Sequence, residues 1–261
     1  LKPFLFILLL TLPEAYCCRI EQWIDDSLSG RQLKDSVSML IRGGIRYNYG
    51  KGNRSTWWGF YLTDRDTTDN SVCDLYSAHK RYFHKQGQPV GGMHIEHVFP
   101  KSWWGGEVND AYKDLHHLLP ADGSANTSKK NWPPGEVLTP TLDNGIFRTG
   151  LPRTETCTAQ RVFEPHDTLK GDFARMYFYI ATAYQDYLWQ GSPADQAMNN
   201  SSWQEFRPWL RDLLIRWHLQ DPVSLRERKR QEIVYQIQGN RNPFIDYPEL
   251  VEMIWKQDPG P

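Results

Sequence analysis

Ten consecutive residues constrain this chain more than any others: Gly91-Gly92-Met93-His94-Ile95-Glu96-His97-Val98-Phe99-Pro100. A glycine pair marks a turn, the next residues alternate polar and apolar, and a proline closes the run. That order predicts a short strand that leaves a turn and stops at Pro100, because proline has no N–H to give a sheet ladder. Glu96 and His97 are neighbours, and a regular strand sends neighbouring side chains to opposite faces. Both can serve one pocket only where the strand bends or ends, which Pro100 and the loop 101–106 permit.

A partner stretch follows at Asp114-Leu115-His116-His117-Leu118-Leu119-Pro120. Its apolar run over residues 115–119 predicts a second short strand. Asp122 or Ser124 then caps a brief helix that carries Asn126, and Pro133-Pro134 stops it. The local unit expected is strand, loop, strand, short helix.

The residue types gathered here suit hydrolysis of a phosphodiester. Such a reaction needs a water deprotonated near neutral pH and a cation to stabilise charge on the phosphate and the leaving oxygen. Histidine, with an ordinary pKa of about 6.5, is a suitable base. A hard divalent cation such as Mg²⁺ takes one or two oxygens from the protein and the rest from water and phosphate. Glu96 and Asn126 offer one carboxylate and one carboxamide oxygen, which leaves His97 as the base and not a ligand. A zinc site built on His94, Glu96 and His97 is the rival. It lacks the His-Glu-x-x-His spacing, and Gly91-Gly92 and Pro100 leave little helix to hold it.

Glu96-His97-Val98-Phe99-Pro100, residues 114–120, Asn126 and Asn131 together resemble the bacterial endonuclease I family, one of the His-Me finger, or ββα-metal, nucleases. Two further stretches are similar to the same family: Phe163-Glu164-Pro165-His166-Asp167-Thr168-Leu169-Lys170-Gly171-Asp172 and Gln238-Gly239-Asn240-Arg241-Asn242-Pro243-Phe244-Ile245-Asp246. The resemblance implies an α+β fold, with a small ββα-metal core embedded in a mainly helical single domain. It implies non-specific cleavage of DNA, with RNA as a second substrate, one Mg²⁺ (Mn²⁺ or Ca²⁺ as substitutes) and a 5′-phosphate product. It places His97 as general base and Glu96 and Asn126 as metal ligands. His116, Lys129, Asn131 and Arg241 become candidate substrate contacts. Lys129 stands where such proteins often carry arginine, so a two-pronged phosphate contact is not expected there.

Charge does not announce a polyanion binder. The chain carries 30 basic and 31 acidic residues, a net charge of −1. Basic residues must then be concentrated locally if nucleic acid is bound. The densest basic run is Arg226 to Arg230, which is either a solvated face or a surface that tracks phosphates. Aromatic residues over 46–64 either pack a core or stack bases. The alternative to a nuclease is a non-catalytic exported protein that binds a polymer or glycan through some of its 11 Trp residues.

Residues 1–17 read as an export signal: Lys2, an apolar run over 4–12 too short to span a bilayer, then Pro13 and Ala15. A plain cleaved signal is the favoured reading, and lipid attachment through Cys17 or Cys18 is the alternative. The remainder, 18–261, is expected to be one nuclease domain, periplasmic or secreted, without a membrane span and monomeric. An oxidising compartment would let Cys73 and Cys157 pair with each other or with Cys17 or Cys18, and sequence does not choose. Helices are expected over 27–41 behind a capping serine, 172–187, 202–218, 225–238 with Gly239 as terminator, and 247–256. Arg175 is expected to pair with Glu164 or Asp167.

Overall fold

A computed structural model describes residue 16 and residues 19–24, 26–200 and 203–256. Apart from Tyr16, the expected export signal, together with Cys17 and Cys18, lies outside these residues. The elements, in chain order, are helix α1 (Gly30–Ile41), α2 (Thr56–Thr63), strand β1 (Met93–His97), β2 (Leu118–Asp122), α3 (Gly123–Lys129), β3 (Val137–Asp143), β4 (Phe147–Pro152) and β5 (Val162–Pro165). Helices α4 (Lys170–Ala183), α5 (Ala194–Ala197), α6 (Pro208–Gln220), α7 (Leu225–Gln238), α8 (Pro243–Asp246) and α9 (Leu250–Trp255) complete it. The class is mixed α+β, with two small antiparallel sheets among helices.

α4 is the central post. Every one of its residues is buried, and α6, α1 and α8 pack around it. Its Phe173, Tyr177, Phe178 and Ile180 join Phe99, Trp103, Leu214, Trp217 and Trp255 in the main apolar cluster. An all-round apolar helix can be stable only inside such a shell. Arg175, fully buried on this helix, donates from Nε and Nη2 to the two carboxylate oxygens of Glu227 of α7, at 2.6 and 2.8 Å. The expected Glu164 or Asp167 partnership is therefore wrong. Glu164 is taken by Arg148 and Lys170, and Asp167 by Lys170.

β1 and β2 form a two-stranded antiparallel sheet in which Met93 faces Asp122, Glu96 faces Leu119 and His97 faces Leu118. Gly92 enters β1 with φ of +74°, in the left-handed region that glycine tolerates. Its carbonyl accepts from the Gly123 N–H at 2.9 Å, so the start of β1 is tied to the end of β2. The second strand begins three residues later than the apolar run suggested, because His116 and His117 are spent on the preceding turn. Asp122, one of the two expected caps, accepts from the N–H groups of Ser124 and Ala125 and opens α3.

α7 starts at a capping box made by Ser224 and Glu227 and ends at Gly239 with φ of +80°, matching the expected bounds. α1 starts at Gly30 behind Ser29, not at residue 27. The sheet β3-β4-β5 was not anticipated. Its strands contain Pro140, Pro152, Pro165 and Gly150, which blur any alternating pattern. Gly150 is needed there, since a Cβ at that position would lie 2.1 Å from the Thr139 carbonyl oxygen. Cys73 and Cys157 carry free thiols and do not bridge each other. No helix among the described residues is long and apolar enough to cross a membrane.

Candidate active site

Glu96 and His97 end β1, and their side chains diverge as strand geometry requires. Glu96 points at α3. Its Oε1 lies 2.7 Å from the ammonium of Lys129, and both side chains are buried. Burial pushes the Glu96 carboxyl up, while the Lys129 charge opposes the shift and favours the ionised form. Lys129 also reaches the Val98 carbonyl at 3.4 Å and lies 4.7 Å from the Phe163 ring centre.

His97 points the other way, into an aromatic wall. Tyr49 stacks on it at 5.6 Å and 22°, Tyr112 lies at 4.7 Å, His117 at 5.6 Å and Trp104 at 6.2 Å between ring centres. Nε2 of His97 lies 3.0 Å from the Tyr112 carbonyl oxygen, which can only accept. The proton therefore sits on Nε2, and Nδ1 is the basic nitrogen. Nδ1 has no hydrogen-bond partner among the described residues. Burial, followed by the neighbouring His117, holds the imidazole pKa well below its ordinary value, so the ring is neutral at pH 7. A neutral imidazole with a fixed tautomer and a free Nδ1 can take a proton from water.

The backbone that fixes His97 is itself anchored from below. The turn over residues 110–117 supplies the Tyr112 carbonyl to His97 and the Ala111 carbonyl to His117, at 2.7 Å. Asp114, fully buried, clamps this turn. Its Oδ2 accepts from Tyr184, Tyr179 and Arg46 at 2.7, 2.8 and 3.0 Å. Its Oδ1 accepts from Gln238 and from the His116 N–H at 2.9 and 3.0 Å. Arg230 of α7 binds Asp64 and donates to the carbonyls of Leu115 and Leu118, fixing the entry to β2. The inward turn of Arg230, together with the Arg226 pair to Asp172, removes much of the supposed phosphate-tracking surface.

Asn126 lies on α3 one turn before Lys129, the residue that meets Glu96. Its side chain is half-buried and makes no hydrogen bond among the described residues. Glu96, balanced by Lys129 through Oε1, and Asn126 offer a carboxylate and a carboxamide oxygen. This donor set fits a hard divalent cation that draws its other ligands from water and phosphate. No cluster of three or more His, Cys, Asp or Glu side chains suited to a metal exists among the described residues, so the zinc alternative has no ligand set there.

The other candidates are placed less openly. His116 is sealed, with Nε2 at 3.2 Å from the Asn240 carbonyl and its ring on Tyr179, and burial lowers its pKa to about 4. Lys129 is buried on Glu96. Asn131 bridges Ser102 Oγ at 3.2 Å and the Ser192 carbonyl at 3.4 Å, and its own carbonyl accepts from the Trp103 indole. Arg241 pairs with Asp246 and Glu232 and stacks at 5.2 Å from the Tyr235 ring centre. Tyr49, Tyr112 and the Asp114 clamp were missed in the sequence. Two signals were present for the clamp, the Asp-Leu-His-His stretch and the Gln238-Gly-Asn240 stretch, which meet through Gln238 and Asn240.

Comparison with known proteins finds nucleases among the relatives of this chain. The chain is 35% identical over 232 residues to an extracellular ribonuclease of Bacillus amyloliquefaciens, covering 87% of this chain and 75% of that protein. It is similarly 35% identical over 238 residues to the extracellular ribonuclease of Bacillus subtilis, with the same coverage. A periplasmic deoxyribonuclease of Aeromonas hydrophila is 26% identical over 179 residues, 62% of this chain and 66% of that protein. The sequence profile of endonuclease I matches residues 29–249, taking in β1, β2, α3 and the whole Asp114 clamp, and the chain belongs to the endonuclease I family.

Proposed function

We propose that the protein is an exported endonuclease that hydrolyses phosphodiester bonds of DNA and RNA without marked sequence preference, using His97 as general base and a Mg²⁺ held by Glu96 and Asn126. The observation that carries this reading is a tautomer-fixed, neutral His97 beside the Glu96 carboxylate, which Lys129 balances at 2.7 Å, with the Asn126 carboxamide on the helix that follows. β1, β2 and α3 then constitute a ββα-metal unit. Relatives named as ribonucleases and as a deoxyribonuclease support both substrates, and their extracellular and periplasmic names support export.

In this mechanism Nδ1 of His97 accepts a proton from a water positioned against the phosphorus. The water oxygen bonds to phosphorus, the bond from phosphorus to the 3′ oxygen breaks, that oxygen takes a proton from solvent, and the products are a 5′-phosphate and a 3′-hydroxyl. Bound Mg²⁺ would supply positive charge to the phosphate and to the leaving oxygen. The Tyr112 carbonyl stabilises the imidazolium formed, because it already accepts from Nε2–H. Lys129 favours the ionised form of Glu96, the form a metal ligand takes. His116, Asn131 and Arg241 support the site by bracing its backbone.

Nicking of supercoiled plasmid by the mature protein in Mg²⁺ tests the reading, with EDTA and His97→Ala as controls and an RNA substrate in parallel. Cleavage is expected to vanish with EDTA and to fall roughly 10²- to 10⁴-fold in His97→Ala. Near-full activity of His97→Ala would overturn the assignment of the base. No cleavage of DNA or RNA in Mg²⁺ or Mn²⁺ by folded protein would leave the exported binding protein as the better account.

A further inference from the structure

A phosphodiester entering beside Glu96 brings a second negative charge, yet the cations named so far cannot meet it. Lys129 is buried on Glu96, and Arg241 is held by Asp246 and Glu232. Lys101 is different. It opens the single-turn helix Lys101–Trp104 directly after Pro100, four residues beyond His97, and it is exposed. Its ammonium donates to the Tyr112 phenol at 3.2 Å and lies 5.0 Å from that ring's centre. No carboxylate pairs with it among the described residues. Tyr112 is also the residue whose carbonyl fixes His97 and whose ring lies 4.7 Å from the imidazole. One tyrosine therefore carries the base on its backbone carbonyl and a cation on its hydroxyl. The Lys101 charge is among those that act on His97.

We propose that Lys101, placed by the Tyr112 phenol, binds the substrate phosphate next to His97. This rests on the nuclease reading and names the cation that reading leaves unassigned. A neutral phenol is a weak partner for an ammonium, so a phosphate oxygen takes its place at little cost. Lysine acts here as a point charge, so arginine can substitute for it.

The test is kcat/KM for a labelled DNA duplex in Mg²⁺, followed from about 50 to 200 mM salt. Lys101→Ala is expected to lower kcat/KM roughly 10- to 100-fold at low salt, the worth of one charge-assisted hydrogen bond. It should also make the plot of log kcat/KM against log salt shallower by about 0.9, the share of one phosphate contact. Lys101→Arg should restore most of both, and Tyr112→Phe should keep the wild-type slope. A Lys101→Ala slope equal to wild type overturns the proposal whether or not activity falls, since Lys101 would then merely support Tyr112. A second arm measures duplex binding by anisotropy in His97→Ala with and without Lys101→Ala, where the same slope difference is expected. If the wild type fails to cleave, that arm still decides: a lost phosphate contact keeps the Lys101 assignment while the nuclease reading falls, and an unchanged slope removes both.

Discussion

Replacing Asp114 with alanine should damage the protein more than any change at the surface of the site. The carboxylate is fully buried and is the ion-pair partner of Arg46, whose side chain is only 6% exposed. Nε and Nη1 of Arg46 make no hydrogen bond, so its charge relies on Asp114 and on the Tyr184 hydroxyl. Burial alone would raise the Asp114 carboxyl, but Arg46 and the surrounding donors hold it well below the usual carboxylate range. Removing one partner of such a buried pair costs about 3–5 kcal/mol, chiefly because the other charge is stranded. For a domain of this size that corresponds to a fall in Tm of roughly 6–20 °C. Thermal denaturation of Asp114→Ala, Arg46→Met and the double variant measures it. The double variant should lose less than the sum of the singles, because no stranded guanidinium remains. A Tm within about 2 °C of wild type for Asp114→Ala, or strict additivity, would refute the reasoning. At a temperature where the variant is folded, turnover should fall more than metal affinity, since the turn that holds His97 is loosened while Glu96 and α3 are untouched.

Two further outcomes follow from the same contacts. Glu96→Gln keeps the shape and removes the charge, so Mn²⁺ affinity read by calorimetry should weaken at least about tenfold while duplex binding without metal persists; unchanged affinity would move the ligand elsewhere. His218 donates Nε2–H to the Pro248 carbonyl and accepts from Arg175 at Nδ1, and burial followed by the Arg175 charge lowers its pKa to about 4. A depressed pKa means stability present above the ordinary value near 6.5 and lost as pH falls toward 4. Asp172 and Glu205, both pushed to about 7 by burial, run the opposite way, so the wild-type profile alone hides the effect. The stability difference between wild type and His218→Gln, measured by urea unfolding, should therefore shrink by a few kcal/mol, about 3 at most, between pH 7 and pH 4. A difference independent of pH would show that His218 is not held neutral.

Which parts were legible follows from how local their causes are. β1, α3 and α7 depend on neighbours in sequence: a glycine turn and a proline, an Asx cap, a capping box and a terminal glycine. Their positions could be read within a residue or two. The sheet β3-β4-β5 has prolines in every strand and pairs through register shifts, so no period of two survives to be read. Within the site, His97, Glu96 and Asn126 were recognisable as chemistry. The roles of Lys129 and Arg241 were not, because whether a cation faces solvent or a buried carboxylate is a tertiary fact. Tyr49 and Tyr112 carried no signal beyond being aromatic. Their value comes from a carbonyl and a ring face brought to His97 by turns more than ten residues away.

The same tertiary fact explains how a chain of nearly zero net charge can bind a polyanion. Several of its cations are turned inward to buried carboxylates: Arg46 to Asp114, Arg175 to Glu227, Arg230 to Asp64, Lys34 to Glu205, Lys129 to Glu96 and Lys170 to Glu164. All but the Lys170–Glu164 pair join segments distant in sequence, and each spends charge on fixing the fold. Near His97, the exposed Lys101 remains for a phosphate backbone. Binding should therefore depend on salt less steeply than in proteins that neutralise about 6–10 phosphates. Each exposed cation beside the base then carries a large share of the affinity. A steep slope would mean that the cations of Arg226 to Arg230 leave their inward partners when nucleic acid binds, and Arg230→Lys would then alter the slope as well as the stability.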